Sequence, residues 1–198
     1  MCIRDSSWTD ALLALCAGLL AWVALRTRTP GAQTLGLGLA FVSAAATVGT
    51  ARFAGHEVLA PLHQVLSSWA ATVGLPLVGL GWCAATLAPR HAEAIRRFAL
   101  PTLWLSGLFL GSFPTARTLL GGAGMLLVFV SAASMLRRAP KVALLGACGA
   151  SLTVGVGLGI GTEGDLMGFP RIGWFHLGLA LGTVGLAGAL RIPASPSA

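Results

Sequence analysis

The feature that most constrains this chain is the spacing of its apolar residues, which form seven long runs separated by short polar connections. Of 198 residues, 56% are hydrophobic and 10% are charged. Soluble domains carry about 25% charged residues, so a water-soluble globule is excluded. The apolar content also excludes intrinsic disorder. Because about 20 apolar residues span a bilayer as a helix, the chain is predicted to be an integral membrane protein.

The seven runs are predicted to be helices, since a helix satisfies its own backbone hydrogen bonds in lipid. Their predicted bounds are 8–25, 32–53, 61–88, 98–113, 118–136, 142–161 and 172–190. The expected fold is therefore all-α, a single domain of seven transmembrane helices over residues 8–191. Residues 1–7 are predicted to be a disordered tail whose start, MCIRDS, resembles a translated sequencing adapter. Residues 192–198 are predicted to be a cytoplasmic tail.

The basic residues predict the orientation of the bundle, because cytoplasmic loops carry an excess of Lys and Arg. An N-terminus outside and a C-terminus inside place nine basic residues in the cytoplasm and four outside. The cytoplasmic set is Arg26, Arg28, Arg90, Arg96, Arg97, Arg137, Arg138, Lys141 and Arg191. The net charge of +7 thus reflects topology rather than nucleic-acid binding, which needs basic stripes interleaved with aromatic residues. Membrane lipid is the expected partner.

Glycine is predicted to serve helix packing in the last two helices. Gly155, Gly157, Gly159 and Gly161 alternate in the sixth helix, and Gly178 and Gly182 form a small-xxx-small pair in the seventh. Such spacing lets helix backbones approach closely in lipid. A phosphate-binding loop is disfavoured, since no strand precedes these residues and no P-loop lysine follows them.

Ionisable side chains are costly inside a membrane, so their positions are the strongest functional clue. In the predicted topology, the candidate site residues lie at or just inside the outer face: Asp10, Arg52, His56, Glu57, His63 and His176. Asp10 with Arg52 fits a structural ion pair as well as a functional role, and His63 fits helix capping as well as ligation. His56 and His176 are predicted to share a polar pocket with that pair.

Three short segments carry a resemblance to known proteins: WTDALL at Trp8, the Gly49-Thr and Gly55-His56 pairs, and Gly173-Trp-Phe-His176. They resemble a family of small seven-helix bacterial membrane proteins, which is itself distantly similar to the alkaline ceramidase and progestin-receptor hydrolase superfamily. The resemblance covers the whole chain in layout. Together with an Ala-, Leu-, Gly- and Arg-rich composition, it implies a bacterial inner (plasma) membrane.

The resemblance implies zinc at the outer face, because that superfamily holds zinc with histidines of helices two and seven. His56 and His176 are then the implied ligands, with His63 or Glu57 as a third. The chain departs from the superfamily pattern at two positions. Ala180 stands where the second histidine of helix seven is expected, and Arg52 stands where a serine is expected.

Two functions are therefore predicted from the sequence. One is a zinc-dependent hydrolase of lipid amides or esters, with His56, His176 and His63 as metal ligands beside a polar pocket of Asp10, Arg52 and Glu57. The alternative is a non-catalytic membrane binding or structural protein whose histidines bridge helices. Retinal is excluded because the only lysine, Lys141, lies in a connection. Haem is not expected, because the histidines lie near the rim rather than at matching depths within helices.

Overall fold

The structure, a computed structural model, describes residues 7–160 and 163–191. The helices are α1 (Ser7–Arg26), α2 (Pro30–Phe53), α3 (Ala60–Trp69), α4 (Leu75–Thr86), α5 (Pro89–Leu110), α6 (Pro114–Met135), α7 (Pro140–Gly155) and α8 (Arg171–Leu186). Two short strands, β1 (Asp165–Leu166) and β2 (Phe169–Pro170), pair antiparallel between α7 and α8. The tails predicted over 1–6 and 192–198 lie outside the described residues, whereas Ser7 begins α1.

Proline marks the start of four helices: Pro30, Pro89, Pro114 and Pro140 are the first residues of α2, α5, α6 and α7. Proline suits a first turn because its missing N–H has no partner there in any case. This explains a difference from the sequence prediction for the fourth helix. That helix begins at Pro89, not at residue 98, because its polar first turns continue the helix beyond the apolar run.

The third predicted helix is a single rod, Glu57–Thr86, interrupted by a π turn at Ala70–Gly74 that joins α3 to α4. Pro76 lies two residues after the end of this π turn. It has no N–H to donate to the carbonyl of Thr72, one turn earlier. A wider turn accommodates that missing bond. A second π turn, Val156–Ile160, extends α7. The described residues therefore contain seven helical rods, which confirms the all-α prediction.

Five of these rods are long and apolar enough to cross a membrane. They are Ser7–Arg26, Pro30–Phe53, Glu57–Thr86, Pro114–Met135 and Pro140–Ile160. Exposed leucines on their outward faces, such as Leu15, Leu19 and Leu126, are what a lipid-facing surface requires. The prediction of a multi-pass membrane protein is confirmed at this level.

Six rods form a closed ring in which each one contacts the next: α1, α2, α3–α4, α6, α7 and α8. Helix α5 lies outside the ring, against α2 and α4. Trp82 of α4 is fully buried inside the ring, and its indole Nε1 donates a hydrogen bond to the carbonyl of Leu186, 2.8 Å away. Its ring lies where a side chain on Gly146 would be, so α4, α7 and α8 meet at this tryptophan.

The glycine prediction is confirmed for α8 and wrong for the end of α7. A Cβ on Gly182 would lie 2.6 Å from Oγ1 of Thr153, and a Cβ on Gly178 would meet the side chain of Val156. By contrast, Gly155, Gly157 and Gly159 have open space where a side chain would point. Gly155 ends α7, whereas Gly157 and Gly159 lie in the π turn, where Gly157 borders an open groove. Gly161 lies outside the described residues.

Candidate functional site

Four ionisable side chains from four helices meet at one end of the bundle. Asp10 is in the first turn of α1, Arg52 in the last turn of α2, His63 in the first turn of α3 and His176 in the second turn of α8. Rods that are consecutive along the chain alternate in direction, so the starts of α1, α3 and α8 come to the end where α2 finishes. The structure thus places Asp10, Arg52 and His176 at this end of the bundle, with His63 beside them.

Asp10 and His176 form the buried centre of this cluster. Oδ1 of Asp10 lies 3.0 Å from Nδ1 of His176, and the two side chains are 1% and 9% exposed. The two atoms are in direct polar contact, but the ring nitrogen is not aligned for a hydrogen bond with this oxygen. The contact is possible because α1 and α8 are neighbours in the ring.

His63 approaches the other oxygen of Asp10 across Gly49. A Cβ on Gly49 would lie 2.7 Å from Oδ2 of Asp10 and 2.9 Å from Nε2 of His63, so the missing side chain is what admits both groups. Oδ2 of Asp10 is buried and has no hydrogen-bond partner among the described residues. A single glycine on α2 therefore allows α1 and α3 to bring an acid and an imidazole together.

Arg52 links His63 to the surface of the protein. Nη1 of Arg52 lies 3.2 Å from Nδ1 of His63. A guanidinium can only donate, so Nδ1 accepts and, in the neutral ring, Nε2 carries the proton. Nε of Arg52 also lies 3.6 Å from Oε2 of Glu57, which is 59% exposed. A continuous series of polar groups thus leads from Glu57 through Arg52 and His63 to the buried Asp10 and His176.

This polar cluster lies at one end of a cavity of about 220 Å³ within the ring of rods. Asp10, His63 and His176 line that end. Apolar side chains line most of the rest, among them Leu13, Leu39, Val42, Ala46, Leu75 and Leu179. Ala70 and Ala71 of the first π turn and Gly157 of the second also border it. Both π turns therefore border the cavity. In proteins generally, π turns occur frequently at functional sites.

An open groove of about 580 Å³ adjoins the cavity between the third rod, α6 and α7. Cavity and groove share Ser67, Ala71, Leu75, Thr153, Gly157 and Phe175. The groove is bordered on α6 by Gly121 and Gly122, and Gly122, like Gly157, has no atom near the place of a side chain. The glycines that do not pack against a helix therefore leave the cavity accessible from the side of the bundle.

His56 is the predicted site residue that the structure does not bring into the cluster. It lies in the connection between α2 and the third rod, directly after Gly55, whose φ is +118°, and its side chain is exposed. Glu57 lies at the same edge and contacts the cluster only through Arg52. The predicted Asp10–Arg52 pair is replaced by Asp10–His176 and Arg52–His63 contacts.

The zinc site implied by the resemblance can be compared with this geometry. His56 and His176, its two implied ligands, do not face a common point, because only His176 borders the cavity. The guanidinium of Arg52 adjoins the third candidate, His63, and its charge opposes a divalent cation there. Within residues 7–160 and 163–191, no group of three His, Cys, Asp or Glu is arranged to hold a metal. The implied ligands thus do not fit zinc, and no chemical step is assigned to it.

Several residues of the site were not singled out from the sequence: Gly49 as a spacer, Ser67, Gln64 and Arg117. A signal was present for one of them, since Gln64 follows His63 directly in the first turn of the third rod. The spacer role of Gly49 and the position of Arg117 could not be predicted, because both depend on neighbours that are distant in the sequence.

Comparisons with known proteins add no assignment. No family model, no curated protein and no solved structure matches this chain.

Proposed function

We propose that this chain is a seven-span protein of the bacterial inner membrane, with its N-terminus outside, that binds an amphipathic lipid within the bundle. One observation carries the proposal: an apolar cavity within the ring of rods ends at a buried acid–imidazole pair and adjoins a groove on the side of the bundle. Binding sites of this kind are mostly apolar, with a few convergent polar groups that fix the orientation of the ligand.

The size of the cavity limits what it can hold. An engineered cavity of about 150 Å³ binds a benzene ring, so about 220 Å³ accommodates a ring or a short length of acyl chain, not a whole lipid. The adjoining groove supplies the additional space. We therefore infer that one part of the ligand enters the cavity while the rest stays in the groove. Entry from the side suits a ligand dissolved in the membrane.

Filling the cavity is the direct test of binding. Ala71 borders both the cavity and the groove, so Ala71→Phe should lower the amount of co-purified lipid at least severalfold, because the added ring occupies the space of the ligand. The protein should stay folded, since filling a cavity commonly stabilises a protein. Native mass spectrometry of the detergent-solubilised protein measures the bound lipid.

Ala123→Phe is the matched control, because Ala123 lies on the exposed face of α6 and should leave lipid binding unchanged. Equal lipid occupancy in the wild type and in Ala71→Phe would contradict the proposal.

Metal analysis of the same preparations tests the hydrolase prediction. One zinc ion per chain would favour hydrolysis over binding alone. Loss of the zinc in His176→Ala, with zinc retained in His56→Ala, would identify His176 as a metal ligand.

The proposed topology makes a separate prediction. Reporter fusions after Arg28, Arg97, Lys141 and Arg191 should give cytoplasmic signals, because otherwise the most basic connections would have to cross the membrane. Alkaline phosphatase and green fluorescent protein fusions distinguish the two sides. A periplasmic signal from the fusion at Arg191 would overturn the proposed orientation.

A further inference from the structure

A second polar space lies beside the cluster, at the same end of the bundle. This outer pocket, of about 510 Å³, is lined by Arg52, Arg117, His63, Gln64 and Ser67, together with two small residues of the third rod. Its two charged lining residues are both arginines, one at the end of α2 and the other in the first turn of α6. No acidic side chain lines it among the described residues.

The two guanidinium groups have hydrogen-bonding capacity to spare. Arg117 donates from Nη1 to Oγ of Ser68 at 3.2 Å, and the described part of the chain provides no carboxylate within 4 Å of it. Nε of Arg52 is buried without a hydrogen-bond partner, since Glu57 at 3.6 Å is too distant for one. Arg117 is thus a partly buried cation without a carboxylate partner, which favours an anionic ligand.

The outer pocket is continuous with the lipid-accessible spaces. It shares His63 and Ser67 with the cavity, and Ser67 and Arg117 with the groove. An amphiphile can therefore place an anionic head between the arginines while its chain lies in the groove and the cavity. In the proposed orientation, the head would lie at the outer face, at the depth of lipid headgroups.

The arrangement of donors favours phosphate over carboxylate. A single guanidinium already matches a planar carboxylate through two parallel hydrogen bonds. Here the donors come from different directions: the arginines of α2 and α6, the Gln64 amide and the Ser67 hydroxyl of α3. A tetrahedral phosphate presents several oxygens to donors arranged around it.

We propose that Arg52 and Arg117 bind the phosphate of a lipid whose chain occupies the groove and the cavity. This inference rests on the proposed lipid-binding function and names the head group of its ligand. The experiment compares the binding of dioctanoyl phosphatidic acid, dioctanoylglycerol, octanoate and inorganic phosphate to the detergent-solubilised protein. The first two ligands have the same chains and differ in the phosphate alone.

The wild type should bind phosphatidic acid about tenfold or more tightly than dioctanoylglycerol, as expected for charge-assisted hydrogen bonds. R117Q should reduce that preference to about threefold or less. Its affinity for dioctanoylglycerol should not change, which shows that the variant is folded and the cavity intact. R171Q is the matched control, because Arg171 does not line the outer pocket, and it should retain the full preference.

Equal affinity of the wild type for phosphatidic acid and dioctanoylglycerol would overturn the phosphate site while leaving lipid binding in place. Failure to bind either lipid would instead overturn the proposed function itself. Octanoate binding as tightly as phosphatidic acid would show a carboxylate site and contradict the choice of phosphate. Inorganic phosphate binding as tightly as phosphatidic acid would contradict the role assigned to the groove.

Discussion

Replacing His176 by alanine is expected to destabilise the bundle by about 1–3 kcal/mol, because it leaves the carboxyl group of Asp10 buried without its partner. Neutral hydrogen bonds between membrane helices contribute about 0.6 kcal/mol on average. Leaving a buried polar group without its partner in a soluble protein costs about 1–3 kcal/mol. Because the Asp10 side chain is only 1% exposed, the loss of stability in His176→Ala is expected to be closer to the larger of these two costs. Asp10→Ala should cost less, because a neutral imidazole is easier to bury than a carboxylate.

A double-mutant cycle measures the coupling. The Asp10→Ala, His176→Ala protein should lose less stability than the two single variants combined, by about 0.5–3 kcal/mol. The measurement is reversible unfolding in mixed detergent micelles, followed by circular dichroism. Additive losses would show that the two side chains are not coupled and would contradict the buried pair.

Glu93→Ala is the matched control for this cycle. Glu93 accepts hydrogen bonds from Nε and Nη2 of Arg96 at 2.8 and 2.6 Å, and these hydrogen bonds hold the pKa of its carboxyl group below the usual range. The pair lies on the exposed first turns of α5, where water screens it. Its loss should leave stability nearly unchanged. Comparing the stability losses of the two pairs shows whether the effect at Asp10 and His176 comes from their burial or from an acid–base contact alone.

The number and type of helices could be predicted because backbone hydrogen bonding in lipid allows few alternatives for long apolar runs. The ends were less accessible to prediction. Helix α5 extends nine residues before its apolar run, to Pro89, since a helix can continue beyond the apolar zone when its polar residues reach water. The two π turns were not predicted either, because apolar content does not distinguish a π turn from an α-helix.

The polar cluster could be predicted in part. Asp10, Arg52 and His176 come together because the alternation of antiparallel rods determines which helix ends lie on one side. His56 and His63 show that the position of a residue at a helix end does not determine the direction of its side chain. Both are at the correct end, but His56 falls in an irregular connection after Gly55, where helical periodicity gives no direction. His63 is in the first turn of a helix, so its direction is defined by its neighbours.

The cavity itself could not be predicted, since its walls come from five rods whose order around the ring is not apparent from the sequence. The glycines show the same limitation. Gly182 and Gly157 belong to similar small-residue patterns, yet one contacts Thr153 and the other borders open space. Sequence spacing indicates that a close approach is possible, whereas the neighbouring element determines whether it occurs.

Gly79 is the position where adding a single methyl group should have the largest effect on packing. Its place in α4 faces the backbone of α6, and a Cβ there would overlap the carbonyl group of Gly124 and lie 2.9 Å from its Cα. A backbone carbonyl cannot move aside as a flexible side chain can. Gly79→Ala should therefore separate α4 from α6 and destabilise the protein by about 1–3 kcal/mol, the usual cost of overpacking.

The control variant isolates packing from helix propensity. Alanine favours a helix over glycine by about 1 kcal/mol in water, so any Gly→Ala change carries a stabilising contribution of its own. Gly122→Ala on α6 adds the same methyl group in open space and should leave stability unchanged or raise it. Gly124→Ala, whose Cβ would lie 2.8 Å from N of Pro76, should resemble Gly79→Ala instead. Equal melting temperatures for Gly79→Ala and Gly122→Ala would contradict the close contact of α4 with α6.

Helices α4 and α6 are consecutive members of the ring around the cavity. Because Gly79→Ala should separate these two helices, it should also lower lipid binding in the mass-spectrometric assay.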